Sequence, residues 1–161
     1  AITGFTFTSL LNLEARGVKA ADVAVMPFAD NGVKLYGNAI IASAKLVREN
    51  PEAVRAFLKA FSKGAKEVMA NPGSAIAYVK ERDGIVNSAL ETRRLQLAID
   101  TVINTADARG EGFGQVSPTR MALMASQISD VYATKTRVNP ETLWNGRFLP
   151  PVADLDVFPK K

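Results

Sequence analysis

Hydrophobic residues recur at helical spacing from residue 50 onward, and the runs follow helix-start signals. Asn50-Pro51, Asn71-Pro72, Ser117-Pro118 and Asn139-Pro140 each place a side-chain acceptor at the N-cap and a proline at the first helical position. Ser88 and Glu91 have the spacing of a capping box. The pattern predicts helices that pack through three apolar stripes: Val54, Phe57, Leu58, Phe61 and Val68; Leu95, Ala98, Ile99, Val102 and Ile103; and Met121, Met124, Ile128, Val131 and Tyr132.

The first 43 residues have a different pattern, with a boundary near Gly37. The runs Asp22–Pro27 and Leu35–Ala42 are rich in β-branched and apolar residues and are bounded by turn residues, which predicts two buried strands. A short helix is predicted between Gly4 and Gly17, where Gly17 suits the left-handed position that ends a helix. Strands alternating with helices predict an α/β fold.

Two further stretches are predicted to be irregular. Asp107–Gly114 contains three glycines, but it follows a helix and lacks the Lys-Ser/Thr pair of a phosphate-binding loop, so it is predicted to be a connector. The tail Gly146–Lys161 contains three prolines and is predicted to run extended over the surface.

Composition removes several kinds of chemistry. The 161 residues include no His and no Cys, which excludes Ser-His-Asp and Cys-His nucleophiles, thiolate or imidazole metal ligands, and disulfides. The sequence also lacks the acidic loop of a calcium-binding hand. We therefore assign no metal and no cofactor.

Charge gives no sign of a nucleic-acid or membrane partner. The 20 Lys+Arg and 16 Asp+Glu are interspersed, as in Lys80–Asp83, and no basic stripe with stacking aromatics is present. No apolar run reaches the length of a membrane span, and no signal-peptide pattern opens the sequence. Because the chain opens at Ala1 within an apolar segment, we expect a mature or clipped product.

Three strings carry a family resemblance. Ala1–Phe5, Leu35–Ser43 and Glu49–Phe61 closely resemble the second half of solute-binding proteins of the NMT1/THI5-like family, which serve ABC importers of nitrate, sulfonates, taurine and thiamine precursors. Leu90–Asp100 and the Pro-rich end with Phe148–Pro150 agree with the family's C-terminus. The resemblance implies a periplasmic-binding-protein-like (type II) α/β fold of two lobes, of which this chain is the C-terminal, helix-rich portion.

The resemblance also implies a domain map. Residues 1–35 correspond to the closing part of lobe two, residues 36–43 to a hinge or crossover strand, and residues 44–161 to the C-terminal helices of lobe one. The sheet under those helices is mostly absent from this sequence. We therefore expect a fragment that stays with its missing N-terminal half, pairs with a second copy, or repacks as a helical oligomer.

The function implied is non-enzymatic capture of a small organic or anionic solute between two lobes, for delivery to an ABC permease. The compartment implied is the periplasm, reached as a secreted protein whose signal peptide is absent from this chain. Two alternatives stay open. One is a helical protein-interaction module that binds through an exposed Met and Phe stripe; the other is a pyrimidine-synthase-like enzyme, whose active-site His and Cys-rich motif this sequence lacks.

Two places fit a ligand cleft. Thr3, Gly4, Phe5 and Thr6 lie where a strand is predicted to end and a helix to begin, so backbone N–H groups, hydroxyls and a ring face could meet a solute. Tyr36 and Asn38 flank Gly37 at the hinge entry. The alternative is that the first group is an ordinary βα turn and the second only satisfies the crossover backbone. Basic residues on predicted helices are assigned to the surface, including Arg93, Arg94 and Arg120.

Overall fold

The computed structural model describes residues 1–159, which fold into helices joined by turns and extended segments. No β-strand occurs among these residues. The helix-rich character predicted for this portion is therefore confirmed, whereas the two-lobe α/β fold stays a prediction. The α-helices are α1 (Leu11–Ala15), α2 (Ala44–Glu49), α3 (Pro51–Ala70), α4 (Pro72–Arg82), α5 (Ser88–Ala98), α6 (Ala106–Glu111), α7 (Pro118–Val131) and α8 (Val152–Leu155).

Shorter helical turns extend or connect these helices. One π-helical turn, Thr6–Leu10, runs directly into α1, and another, Ile99–Ile103, continues α5. Further turns have 3-10 geometry, two of them before α2 and two between α7 and α8. They are Ala20–Asp22, Ala29–Asn31, Pro140–Thr142 and Gly146–Phe148.

The chain forms two compact units, each assembled from separate stretches of sequence. The first unit contains Ala1–Ala24, Lys59–Phe113 and the segment that begins at Pro150; the second contains Val25–Leu58 and Gly114–Leu149. The boundaries predicted from the sequence, at residues 35 and 43, come from the family resemblance and not from contacts within the chain, and they stay a prediction.

Most predicted helix starts are confirmed. Asn50, Asn71 and Ser117 each accept a hydrogen bond from the backbone N–H three residues later, and a proline follows each of them. Asn139 caps only a single 3-10 turn, because the turn-forming pair Asn145-Gly146 follows a few residues later.

The predicted capping box at Ser88 is wrong by one residue. Asn87 is the N-cap, and its side chain accepts a hydrogen bond from the Leu90 N–H at 3.1 Å. The Glu91 carboxylate instead accepts from the Arg94 guanidinium, so it cannot close the box. An equally good capping residue one position earlier decided where the helix begins.

The two predicted buried strands are also corrected. Asp22–Pro27 and Leu35–Ala42 adopt no strand pairing, and most of their side chains are exposed, with Met26 at 78% and Ile41 at 90% exposure. A strand is stable only beside neighbouring strands, and residues 1–159 supply none. The β-rich composition is therefore present without the partner that would make it a sheet.

The core of the first unit contains the C-terminal tail, which corrects the prediction of an extended surface segment. Leu155, Val157 and Phe158 are 0%, 1% and 6% exposed, and the Phe113 N–H donates to the Leu155 carbonyl at 2.9 Å. Lys160 and Lys161 lie outside the described residues. The prolines predicted an exposed tail, but these three apolar side chains between Pro151 and Pro159 are buried. Val157 and Phe158 form a cluster with Met69 and Ile99, and Ala65, Leu95, Ile103, Ala108 and Phe113 pack against it.

The stripe predicted on α3 is only partly inside. Phe57 and Phe61 are 56% and 46% exposed, and Phe61 stacks on Phe113 with ring centroids 6.2 Å apart. The buried positions of this helix are Ser62 and Met69. Because the face of α3 that carries Ser62 and Met69 is the buried one, the two phenylalanines lie at the edge of that face and not in the core.

The second unit buries one face of α7 together with Phe148. Met121, Ala125 and Ser129 are buried at four-residue spacing, and Phe148 is 4% exposed. The interpretation of Met121 as core filler is confirmed. The end of the same stripe is not inside, because Val131 and Tyr132 are mostly exposed.

The glycine-rich stretch 107–114 is a loop only in its second half. Residues up to Glu111 belong to α6, whose N-cap Thr105 accepts from the Ala108 N–H at 3.2 Å. The connector begins at Gly112, where φ is 108°, a conformation that glycine adopts readily. The N-cap signal at Thr105 therefore outweighed the helix cost of Gly110.

Two helix ends share one capping geometry and give a matched pair of predictions. After α1, Gly17 has φ 88° and the Val18 N–H donates to the Leu13 carbonyl; after α7, Ala133 takes the equivalent position at φ 46°. Gly17→Ala is expected to lower the free energy of unfolding by about 1 kcal/mol, whereas Ala133→Gly is expected to be neutral or to raise it by a few tenths. Urea unfolding followed by circular dichroism measures both.

Gly84→Ala serves as the control, since Gly84 has no left-handed φ and open space around it. Equal effects of Gly17→Ala and Gly84→Ala would show that the left-handed conformation does not determine the cost.

Candidate functional site

Thr3, Gly4 and Phe5 are exposed and lead into the helical turn that begins at the half-buried Thr6. Phe5 is extended, with φ −86° and ψ 141°, and its carbonyl accepts from the N–H groups of Thr8 and Ser9 at 3.0 and 2.8 Å. The Thr8 hydroxyl donates to the same carbonyl at 3.0 Å. The predicted helix start is thus confirmed, and two of its donors are already bonded within the turn.

Close packing gives this segment a defined shape. The rings of Phe5 and Phe7 stack with centroids 5.0 Å apart and planes inclined by 20°. The Ser9 hydroxyl lies close to the Gly4 backbone, so a larger residue at position 4 would require the Ser9 side chain to rotate.

An arginine of α5 fixes the same segment, which the sequence-based assignment of Arg94 to the surface missed. Arg94 donates to the Phe7 carbonyl at 2.8 Å, to the Asn12 Oδ1 at 3.2 Å and to both oxygens of Glu91. Its neighbour Arg93 forms an exposed ion pair with Glu14 at 2.8 Å. The Glu91–Arg94 spacing of three residues was visible in the sequence, but nothing in it pointed to Phe7.

A shallow depression of about 210 Å³ lies beside the segment, lined by Ile2, Ser9, Asn12, Leu13 and Arg16. Its polar side chains offer donors. The Arg16 guanidinium and the Ser9 hydroxyl form no hydrogen bond or ion pair with any of residues 1–159, and Asn12 uses its oxygen, not its NH₂ group, to bind Arg94. Three donors beside two apolar side chains suit a small anion or polar solute with an apolar part.

A second depression, of about 260 Å³, has the opposite character. Leu11, Arg93, Gln96, Leu97 and Asp100 line it. Its polar groups are occupied by each other or by neighbours: the Gln96 amide donates to Asp100 at 3.0 Å, and Arg93 pairs with Glu14. It offers an incoming ligand fewer free donors than the first depression.

Tyr36 is held by α7 at its N-terminus. The Tyr36 Oη accepts a hydrogen bond from the Ser117 N–H at 2.9 Å, and the Arg120 guanidinium lies 4.3 Å from the centre of its ring. Arg120 also donates to the carbonyls of Lys34 and Leu35 at 3.1 and 3.0 Å. Arg120, assigned to the surface from the sequence, therefore anchors the chain that leads into Tyr36.

The predicted site residues fall into two groups that lie in different units. Thr3, Gly4, Phe5 and Thr6 belong to the first unit, whereas Tyr36 and Asn38 belong to the second. Asn38 is exposed, and the Tyr36 phenol accepts a hydrogen bond from the backbone of α7. A ligand role stays a prediction for all six residues.

Across residues 1–159, no three Asp or Glu side chains come together as a metal-binding group. Within the same range, the helices are all too short or too polar to cross a lipid bilayer.

Comparison with known proteins supports the resemblance noted from the sequence. Residues 1–75 match a family model described as NMT1/THI5 like. No curated protein and no solved structure matched the chain. The resemblance is confirmed for this stretch, which contains all three motifs that carry it, whereas the likeness of Leu90–Asp100 and Phe148–Pro150 to the family's C-terminus stays a prediction.

Proposed function

Because residues 1–75 are an NMT1/THI5-like segment, we propose that this chain is part of the solute-binding component of an ABC importer. It captures a small organic or anionic solute between two α/β lobes and delivers the solute to a membrane permease. The family match is the observation that carries this proposal. The chain works in the periplasm as a secreted protein, and lobe closure signals that the solute is bound.

Within the chain, the proposal places the solute at the N-terminal segment. Thr3–Thr6 and the adjoining depression offer a ring face at Phe5 and free donors at Ser9 and Arg16. The Arg16 guanidinium pairs with no carboxylate of residues 1–159, so it attracts an anion more strongly than a cation or a neutral molecule. A ligand contact at Tyr36 and Asn38, which belong to the second unit, is a separate part of the proposal.

A companion structure completes the cleft, of which this chain alone carries a partial site. Depressions of 210 and 260 Å³ are smaller than the roughly 300–1,000 Å³ of typical ligand pockets. In the proposal, the N-terminal half of the binding protein or a second copy of the chain supplies the remaining walls. The exposed apolar side chains of Met26, Phe28 and Ile41 support this, since a companion would cover them.

A melting-shift screen of the full chain tests the proposal. The panel contains nitrate, an alkyl sulfonate, taurine, an aliphatic carboxylate and a phosphorylated pyrimidine. One of them is expected to raise the melting temperature, because a ligand at 100 times its Kd stabilises the folded state by about 2.7 kcal/mol. Arg16→Ala is expected to weaken that ligand about tenfold, through loss of a charge-assisted hydrogen bond.

Arg48→Ala is the matched control, because Arg48 is an exposed arginine at the end of α2 in the other unit. It should leave the affinity of the solute unchanged. A flat response to every compound would contradict the proposal for this chain, and equal losses in both variants would contradict the placement at Arg16.

The interaction-module alternative keeps part of its support. Phe57 and Phe61 are about half exposed, but Met121 is buried and Met124 is half-buried, so the Met part of the expected stripe is not on the surface. That alternative predicts melting that is independent of small solutes, together with a stoichiometric protein complex. The enzyme alternative has no His or Cys to supply its reagents.

A further inference from the structure

A π-helical turn, Thr6–Leu10, carries one side of the first depression, because Ser9 belongs both to this turn and to the lining. Single π turns are rare and are frequently found at functional sites. Arg94 donates to the Phe7 carbonyl inside the turn at 2.8 Å, and its side chain is only 21% exposed. Arg94 therefore holds the stretch of backbone that carries Ser9.

The same guanidinium decides how the Asn12 side chain is oriented. An Arg94 nitrogen lies 3.2 Å from a terminal atom of that side chain. A guanidinium has donors and no acceptor, so the atom that faces it is the amide oxygen. The NH₂ group is then the part of Asn12 that remains for a ligand, and Asn12 lines the depression. Arg94 thus turns a side chain that can donate or accept into a donor.

The other polar groups of the depression agree with this orientation. The Arg16 guanidinium only donates, and the serine hydroxyl of the lining donates as readily as it accepts. The carboxylates of α1 and α5 are already paired, Glu14 with Arg93 at 2.8 Å and Glu91 with Arg94 at 3.1 Å. The depression therefore presents donors and a positive charge to a ligand.

We propose that Arg94 is a positioning residue of this depression and that Asn12 determines its specificity. Together they select an anion that only accepts hydrogen bonds, a carboxylate or a sulfonate, over a neutral molecule of the same shape that also donates. The inference rests on the proposed function, since it concerns the solute bound at this depression. Its physical basis is that a donor of the ligand facing the Asn12 NH₂ group leaves both groups unpaired.

Isothermal titration of the full chain with two isosteric pairs tests the selectivity. The pairs are butyrate with butyramide and propanesulfonate with propanesulfonamide. At least one anion is expected to bind about tenfold more tightly than its amide. Equal affinities within both pairs would overturn this inference and leave the proposed function standing. No binding of any of these probes would also overturn it, whereas the proposed function fails only if the whole melting-shift panel gives a flat response.

Asn12→Asp is the most specific variant, because it keeps an oxygen for Arg94 and replaces the NH₂ group with a second oxygen. Folding is expected to be preserved, since the contact with Arg94 becomes an ion pair. The affinity for the anion is expected to fall about tenfold or more, because the new carboxylate repels it and offers no donor. The affinity for the amide should fall less.

Asn104→Asp is the matched control. The Asn104 Oδ1 also accepts from an arginine, Arg109, in the same unit, and Asn104 is not part of the lining. This variant should bind the anion like the parent chain. Full anion affinity in Asn12→Asp, or an equal loss in the control, would overturn the role of Asn12.

Arg94→Lys tests the positioning role separately. A lysine keeps the charge, but one ammonium group lacks the planar fork that reaches the Phe7 carbonyl and the Asn12 oxygen together. Freed from this contact, the Asn12 amide can turn, so the ratio of anion to amide affinity is expected to fall several-fold. Arg93→Lys should leave the ratio unchanged. A purely structural role would lower both affinities together and keep their ratio, and that result would overturn the positioning role.

Discussion

Leu155→Ala is expected to lower the free energy of unfolding by about 2–5 kcal/mol, the range found when a buried leucine is truncated. Leu155 is 0% exposed in α8, although the sequence around it is rich in proline. The backbone contact with the Phe113 N–H uses the Leu155 carbonyl, so it remains after the substitution. The loss therefore reports the side chain alone, and urea unfolding followed by circular dichroism measures it.

Val152→Ala is the control in the same short helix, because Val152 is 63% exposed. It is expected to change stability by less than about 0.5 kcal/mol. If Leu155→Ala were as mild as this control, the C-terminal tail would not form part of the core of the first unit.

Arg94→Ala is expected to cost about 2–3 kcal/mol, because it removes a guanidinium that binds two chain segments at once. The side chains of Arg94 and Glu91 are 21% and 22% exposed. Loss of the guanidinium leaves the Phe7 carbonyl and the Glu91 carboxylate without their donor. Half-buried acceptors that lose a charged donor carry a larger penalty than exposed ones. Equilibrium unfolding gives the cost.

The adjacent Arg93 makes a strict comparison. The Arg93 side chain, which pairs with Glu14, is 62% exposed, so Arg93→Ala is expected to lower the free energy of unfolding by no more than about 1 kcal/mol. Arg94→Lys should fall between the two, since lysine keeps the charge and lacks the planar fork that reaches several acceptors. Hydrogen exchange in α1 should speed up in Arg94→Ala and stay near the parent rate in Arg93→Ala. Identical rates in both variants would show that Arg94 does not hold the N-terminal segment.

The site predicted from the sequence was located by resemblance and local pattern, and both have limited reach. The segment Thr3–Thr6 followed by a helix start could be read from turn and helix signals alone. The donors beside it, at Ser9, Asn12 and Arg16, have the spacing of one helix face, yet the sequence did not single them out. Polar residues at that spacing are the ordinary surface of a helix, and only a neighbouring depression distinguishes them.

Two arginines show the same limit of local sequence patterns. Arg94 and Arg120 follow acidic or polar neighbours on amphipathic helices, which is typical of solvated positions. Each donates to backbone carbonyls more than 80 residues earlier in the chain. No local pattern carries information about a partner at that separation, because the contact exists only after the segments have packed.

The sequence by itself determined the helix starts at Asn50, Asn71 and Ser117, the helix end at Gly17 and the exclusion of His and Cys chemistry. These features depend on residues a few positions apart, or on composition alone. The tertiary structure decided that Leu155 is buried, that Phe57 lies at an edge and that Leu35–Ala42 forms no strand pairing within residues 1–159. Burial and strand pairing are properties of two surfaces, and a single stretch of chain specifies only one of them.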